Sequence, residues 1–213
     1  MVQPRTRSVH LEPGSVILIP IRPCLLEPVL GGQSPDFVTP SPAVDQLASA
    51  GASRVVACAQ VIWVNGKLFH MVVFEGIYDT RHIDAKRATQ RGVILAGETF
   101  TTYLSRGIWT LAGIQPIAGS THIPTYLDSS GGLLAGVTVV DPSGRLKRRA
   151  SRRERRALPE AATFSCMSIQ RAAMAAHGEA EPLPAHGDLR VVPGFSVRDV
   201  FGMSWEDLQR EQR

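Results

Sequence analysis

The most conspicuous chemical groups in the sequence are the arginines of GRLKRRASRRERRA, at residues 144–157. Residues 145–156 carry eight basic side chains and one acid, a net charge of +7. Guanidinium groups pair with phosphates and displace their counterions, which drives association with nucleic acids. If this stretch binds a nucleic acid, we expect the contacts to come from its central arginines: Arg148, Arg149, Arg152 and Arg153.

The same stretch also has a structural interpretation. Ser151 and Glu154 have the spacing of a capping box, in which the two side chains satisfy N–H groups at the start of a helix. The stretch is therefore predicted to divide at Ser151, with the end of a strand before it and a helix after it that ends at about Leu158, before Pro159. Arginines on both sides of such a short helix favour a solvated surface over a groove-binding stripe.

A second group of candidate contact residues lies in FEGIYDTRHIDAKR, after an apolar run. Its members are Glu75, Tyr78, Asp79 and Asp84. Three basic residues, at positions 81, 86 and 87, stand among them, so ion pairs in a solvated loop are one interpretation. The alternative is an edge that binds a protein partner, and under it these four residues are the predicted contacts.

The usual patterns of catalysis and metal binding are not found in this sequence. No two of the six histidines have the i, i+4 spacing with an intervening carboxylate that is typical of a helical zinc site. The segment AGSTH lacks the second glycine of a nucleophile elbow, and LGGQS lacks the lysine of a phosphate-binding loop. We therefore expect no catalysis, no metal and no small-molecule cofactor. Cys166 stays open as a nucleophile, because a predicted helix start can lower the pKa of a thiol.

The composition is that of a globular protein, with 213 residues, 44% of them hydrophobic and 20% charged. Outside the basic stretch, 15 basic and 18 acidic residues leave a net charge of −3. Three widely separated cysteines argue against a disulfide framework. The N-terminus lacks the apolar core of a signal peptide, and no apolar run has the length of a membrane span. These features predict a cytoplasmic protein with no membrane contact.

Most of the predicted elements are β-strands, because apolar runs rich in branched residues alternate with turn residues. The Asn65-Gly66 pair predicts a type I′ turn between two long strands. The predicted strands are Ser15–Ile21, 54–64, 67–79, Thr99–Leu104, Trp109–Ile114, Leu133–Val140 and Arg145–Arg149, and a helix is predicted from Met167 to His177. The fold we expect is mainly β, a bent antiparallel sheet or small open barrel with two C-terminal helices packed on it.

The elements suggest one domain at residues 9–177 with a proline-rich insertion at 22–53. A helical turn is predicted inside the insertion, within Ser41–Gly51. Residues 178–213 form a C-terminal extension with a short helix, whose start is indicated by the capping spacing of Ser204 and Asp207.

The order of several segments resembles the immunity protein 26 family of bacterial polymorphic-toxin systems. The segments are EPGSVILIPI, VVFEGIYDTRHID, TFTTYLSRGIWTLAGIQPI and GRLKRRASRRERRALPEAATFSCMSIQRAAMAAH. Features of the family fall on Ile19-Pro20, on Asp79, on Gly107 with Trp109, and on residues 145–177. The resemblance covers residues 11–21 and 54–177, and it leaves out the insertion and the extension.

This resemblance implies a β-rich domain that binds and neutralises a toxin made by the same cell, without catalysis. Our first hypothesis is therefore an immunity protein whose partner is a cognate toxin. The alternative is a nucleic-acid-binding module that uses the arginine-rich segment 145–156. A small enzyme that uses Cys166 is a third hypothesis.

Overall fold

A computed structural model describes residues 9–21, 55–130, 136–176 and 189–204, together with residues 207 and 210. The described residues are mostly β, as predicted, and their strands form two antiparallel sheets that are not closed into a barrel. The insertion helix predicted at Ser41–Gly51 lies outside the described residues.

The larger sheet has five strands in the order β4-β3-β2-β1-β5. Its strands are β1 (Ser15–Pro20), β2 (Val55–Asn65), β3 (Leu68–Asp79), β4 (Val93–Phe100) and β5 (Thr110–Ile114). The smaller sheet has the order β6-β7-β8. It consists of β6 (Tyr126–Asp128), β7 (Thr138–Val140) and β8 (Lys147–Arg149).

Five helices occur in the described residues. They are α1 (Ala85–Ala88), α2 (Thr102–Ser105), α3 (Arg152–Ala157), α4 (Cys166–Ala176) and α5 (Val197–Phe201). The predicted helices after Ser151 and near Met167 correspond to α3 and α4. None of these described helices combines the length and the apolar character needed to cross a membrane.

The predicted hairpin is confirmed, with its turn one position later than expected. Asn65 and Leu68 form the last cross-strand pair, so the two turn residues are Gly66 and Lys67. Gly66 has a φ of 58°, a left-handed conformation that glycine adopts without steric cost. The predicted type I′ turn on Asn65-Gly66 is therefore wrong in position, because Asn65 is still extended and paired.

Both faces of the five-stranded sheet are covered across strands β1 to β4, whereas β5 is exposed. Helix α4 packs on one face through Ile169 and Ala173, against core residues such as Phe69. The other face packs against Ile123 and Val197, from the segment before β6 and from α5. Burial on both faces explains why β1 reads as a continuous apolar run rather than as an alternating one.

The strand predicted at Thr99–Leu104 is wrong in its second half. Strand β4 ends at Phe100, which pairs with Leu68 at the start of β3, so residues beyond Phe100 have no partner strand. The chain turns into helix α2 instead, and this turn places Leu104 in the core. The strand predicted at Trp109–Ile114 is confirmed as β5.

Part of the C-terminal extension belongs to the same fold. Leu189 joins the core under α4, Val197 joins the core on the opposite face, and Phe195 packs beside Leu127 of the smaller sheet. Ser204 and Asp207 exchange the hydrogen bonds of a capping pair, as their spacing predicts.

Candidate functional site

The acidic group predicted as a partner contact lies at one end of the five-stranded sheet. Glu75, Tyr78 and Asp79 belong to the last five residues of β3, and Asp84 is the N-cap of α1. The hydroxyl of Tyr78 donates to the carbonyl oxygen of Glu75 at 3.0 Å. The structure therefore brings the four residues to one corner of the molecule.

Two of these acids are already paired with arginines of the same segment. Arg81 donates to Asp79 through both its side chain and its backbone, and these hydrogen bonds hold the pKa of Asp79 well below its usual value. Asp84 accepts the backbone N–H of Arg87, and its carboxylate lies 3.7 Å from that guanidinium. Glu75 is exposed and its carboxylate makes no hydrogen bond or ion pair with a described residue, so it is the most available of the three acids.

The arginine-rich stretch divides at Ser151, as its spacing predicts. Ser151 and Glu154 form both hydrogen bonds of the capping box at the start of α3. Glu154 is buried and also pairs with both terminal nitrogens of Arg148, which reaches across from β8. The hydrogen bonds from Arg148 lower the pKa of Glu154 to about 2. Arg148 is thus a structural link between β8 and α3.

Two further arginines of the stretch lie over aromatic rings, where a cation and the ring face attract each other. The guanidinium of Arg145 lies 5.3 Å from the ring centre of Trp63, and that of Arg153 lies 5.1 Å from the ring centre of Phe195. Of the four predicted nucleic-acid contacts, Arg148 and Arg153 are therefore engaged within the protein.

The remaining arginines of the stretch are available to an external partner. Their side chains are exposed, and they make no ion pair, hydrogen bond or aromatic contact with any described residue. They are Arg149, Arg152, Arg155 and Arg156. They lie on β8 and on α3, two elements that Arg148 holds together.

A buried polar pair that the sequence analysis missed joins the two sheets. The hydroxyl of Tyr126 in β6 lies 2.6 Å from Nε2 of His70 in β3, and both residues are buried. Burial lowers the pKa of His70 from 6.5 to about 3. Burial, followed by the charge of Glu98, raises the pKa of Tyr126 well above its usual value. Both groups are consequently neutral at pH 7.

The surroundings of this pair leave no room for a substrate. The cavity beside Tyr126, which Pro124 and Leu189 also line, has a volume of about 10 Å³. That is close to the space of one water molecule. The arrangement of His70 and Tyr126 is therefore that of a hydrogen bond between two sheets. Their separation of 56 positions in sequence explains why no motif indicated it.

A larger cavity of about 100 Å³ lies between residues 119–123 and 196–204. Nε2 of His122 is buried at its wall and has no hydrogen-bond partner among the described residues. Burial lowers the pKa of His122. The volume suits a few water molecules and is well below the 300–1,000 Å³ typical of ligand pockets.

The described thiols are protected by burial. Burial raises the pKa of Cys58 to about 12 and that of Cys166 to about 11. The pKa of Cys166 therefore shifts in the direction opposite to the one that a helix start was expected to produce. No group of three His, Cys, Asp or Glu side chains in the described ranges is placed to hold a metal ion.

The most exposed apolar surface of the sheet is its outer strand, β5. All five residues from Thr110 to Ile114 are exposed and uncharged. Leu111 is 38% exposed and Ile114 is 56% exposed. Strand β5 pairs with β1 on one side, and no other described segment pairs with it on the other. This open edge gave no signal in the sequence, because strand order is a property of the whole fold.

Comparisons with known proteins do not assign the chain to a family. No family model matches it, and no curated protein or solved structure is found to be similar to it.

Proposed function

We propose that this protein is a cytoplasmic immunity protein that binds and neutralises a cognate bacterial toxin, with no catalysis and no cofactor. The ordered segments that resemble the immunity protein 26 family support this proposal. The mainly β fold is the kind of fold that this resemblance implies.

The observation that carries the proposal is the open edge of β5. An exposed, uncharged edge strand is a liability that proteins usually cover or charge, because its unpaired N–H and C=O groups attract other chains. The exposed edge of β5, with its two exposed aliphatic side chains, supports a surface that binds another protein.

The test first identifies a toxin gene in the neighbourhood of the gene for this protein and then co-expresses its toxin domain with the protein. We expect the protein to restore growth to cells that make this toxin domain, and to form a stable complex with a catalytically inactivated copy of it. The control is a toxin domain of similar fold from an unrelated locus, which should be neither neutralised nor bound. If the protein neither restores growth to these cells nor forms a complex with the toxin domain, the proposal is wrong.

The predicted contacts Glu75, Tyr78, Asp79 and Asp84 define a rival location for the same interface. Glu75→Lys reverses the charge of the acid that is not paired with an arginine, so it leaves the Asp79–Arg81 pair in place. If the toxin binds this corner, the variant should weaken the complex by about tenfold or more, as the reversal of a contact charge commonly does.

A second candidate function, nucleic-acid binding, is favoured by the four available arginines. Removal of four phosphate contacts should reduce the slope of log affinity against log salt by as much as about four. The test changes Arg149, Arg152, Arg155 and Arg156 to alanine together, and it keeps Arg148 because that side chain holds Glu154. A wild-type protein that does not bind DNA or RNA at low salt excludes this function.

A further inference from the structure

We propose that the toxin binds by adding an extended, uncharged segment of its own chain to the open edge of β5. The inference rests on the proposed function and specifies how it is carried out. An edge strand presents backbone donors and acceptors at strand spacing, and another extended backbone is the structure that matches them.

The outer side of β4, at the opposite edge of the same sheet, is covered by the protein itself. The N–H of Ala96 donates to the carbonyl oxygen of Leu189 at 2.8 Å, and the N–H of Phe164 donates to that of Glu98 at 2.7 Å. Gly97 lies beneath both covering segments, and a Cβ at this position would lie 2.7 Å from Leu189 and 2.9 Å from Phe164. This edge is closed by close packing.

The two edges of the smaller sheet are also protected against pairing with another strand. Beside β6, Leu127 exchanges two backbone hydrogen bonds of 2.9 Å with the segment from Pro159 to Ala161. The outer strand β8 consists of Lys147, Arg148 and Arg149, and a row of like charges discourages pairing with another strand. Among the four sheet edges that the structure describes, β5 alone is neither covered nor charged.

The geometry of β5 also presents hydrogen-bonding groups to the outside. The N–H of Gln115 points toward β1 and donates to the carbonyl oxygen of Gly14 at 2.9 Å. Because successive residues of a strand direct their N–H groups to opposite sides, the N–H of Ile114 points away from β1. Ile114 therefore offers both a backbone donor that has no acceptor among the described residues and the most exposed aliphatic side chain of the strand.

A second copy of this chain fits the edge poorly. If two copies of β5 related by a two-fold axis paired antiparallel over all five residues, the axis would lie at the middle residue, Ala112. Ala112 lies at a register shift, since Val16 pairs with Gly113 and Ile17 pairs with Leu111. A bulge breaks the regular spacing of donors and acceptors, so self-pairing would place the break in both copies at the centre.

The size of the strand leads to the same conclusion. Five residues on each side are far fewer than the roughly 20–30 residues per partner of a stable interface. A symmetric dimer through β5 alone would be too small. A partner that is larger than one strand can extend its contacts onto the surface beside β5, and an uncharged segment of it would match the uncharged edge.

The test measures binding of the catalytically inactivated toxin domain from the neighbouring gene to edge variants of the full chain. Leu111→Lys and Ile114→Lys each place a charge on the edge, and each should weaken binding by about tenfold or more. The matched control is Met167→Lys on α4, because Met167 is 40% exposed and Leu111 is 38% exposed. The control variant should bind within about twofold of wild type.

Hydrogen exchange separates strand addition from simple burial of side chains. On addition of the inactivated toxin domain, the amide of Ile114 should become strongly protected, since the incoming strand accepts its hydrogen bond. Protection of this amide together with weaker binding of both lysine variants supports the proposal. An Ile114 amide that exchanges equally fast in the complex overturns it.

Failure of this inference can be told apart from failure of the proposed function. A toxin domain that binds and is neutralised normally by both edge variants overturns strand addition and leaves the immunity function intact. A toxin domain that does not bind the wild-type protein overturns both. If sedimentation shows a dimer of the free protein that Leu111→Lys dissociates, the edge belongs to a second copy and the proposal is overturned.

Discussion

The buried imidazole of His70 should make the stability of this protein fall as the pH falls. In the folded chain the pKa of His70 is lowered to about 3 by burial, against 6.5 for an unburied imidazole. Below pH 6.5 His70 therefore binds a proton in the unfolded chain but not in the folded chain. The contribution of this group is fully present above pH 6.5 and is lost as the pH falls toward 3.

The size of the effect follows from the difference in bound protons. One proton bound only by the unfolded state changes the free energy of unfolding by about 1.4 kcal/mol per pH unit. Between pH 7 and pH 4.5 the pKa values given above correspond to a loss of about 2–3 kcal/mol from His70. This is a substantial part of the roughly 5–15 kcal/mol by which native domains are stable.

The substitution that isolates this contribution is His70→Gln, because an amide can bond to the Tyr126 hydroxyl but does not take up a proton in this range. Urea unfolding followed by tryptophan fluorescence, at several pH values from 7 to 4.5, gives the free energy of unfolding of each protein. The advantage of wild type over the variant in the free energy of unfolding should shrink by about 2–3 kcal/mol across this range. The control is His82→Gln at an exposed histidine, which should keep the pH dependence of wild type. If the advantage of wild type over His70→Gln stays constant with pH, the low pKa of His70 does not contribute to the pH dependence of stability.

Three further predictions concern the cap, the covered edge and the thiol. Glu154→Ala removes the capping box and leaves Arg148 without its partner, so it should lower the free energy of unfolding by about 1–3 kcal/mol in urea titrations. Gly97→Ala should cost about 1–3 kcal/mol in the same assay, because its methyl group would overlap with Leu189 and Phe164. Cys166 should react with iodoacetamide more slowly than a free thiol at pH 7, because burial raises the pKa of Cys166 to about 11; rapid alkylation of this thiol would contradict the prediction.

The elements that the sequence predicted well are those fixed by nearby residues. The hairpin depends on two adjacent apolar runs and a glycine turn, and the start of α3 depends on Ser151 and Glu154, three positions apart.

The features that the sequence did not reveal depend on distant partners. The end of β4 at Phe100 is decided by where β3 begins, and the bond between His70 and Tyr126 joins two sheets. The capping box of Ser196 and Asp199 has a readable spacing, but no helix was predicted there. The open edge of β5 is visible only when the order of all five strands is known.

The strand order also bears on how the chain folds. Strands β2 and β3 are joined by a two-residue turn. The residues of β5, in contrast, pair with residues of β1 that lie roughly 100 positions away in sequence. The entropy lost in closing a loop grows with the length of the loop. We therefore expect the hairpin to form early and the pairing of β1 with β5 to form late. Because β5 is held in the sheet by β1, its outer edge exists only once these two strands, which are distant in sequence, have paired. A chain that begins after Pro20 would lack β1 and lose that edge even if its hairpin still formed.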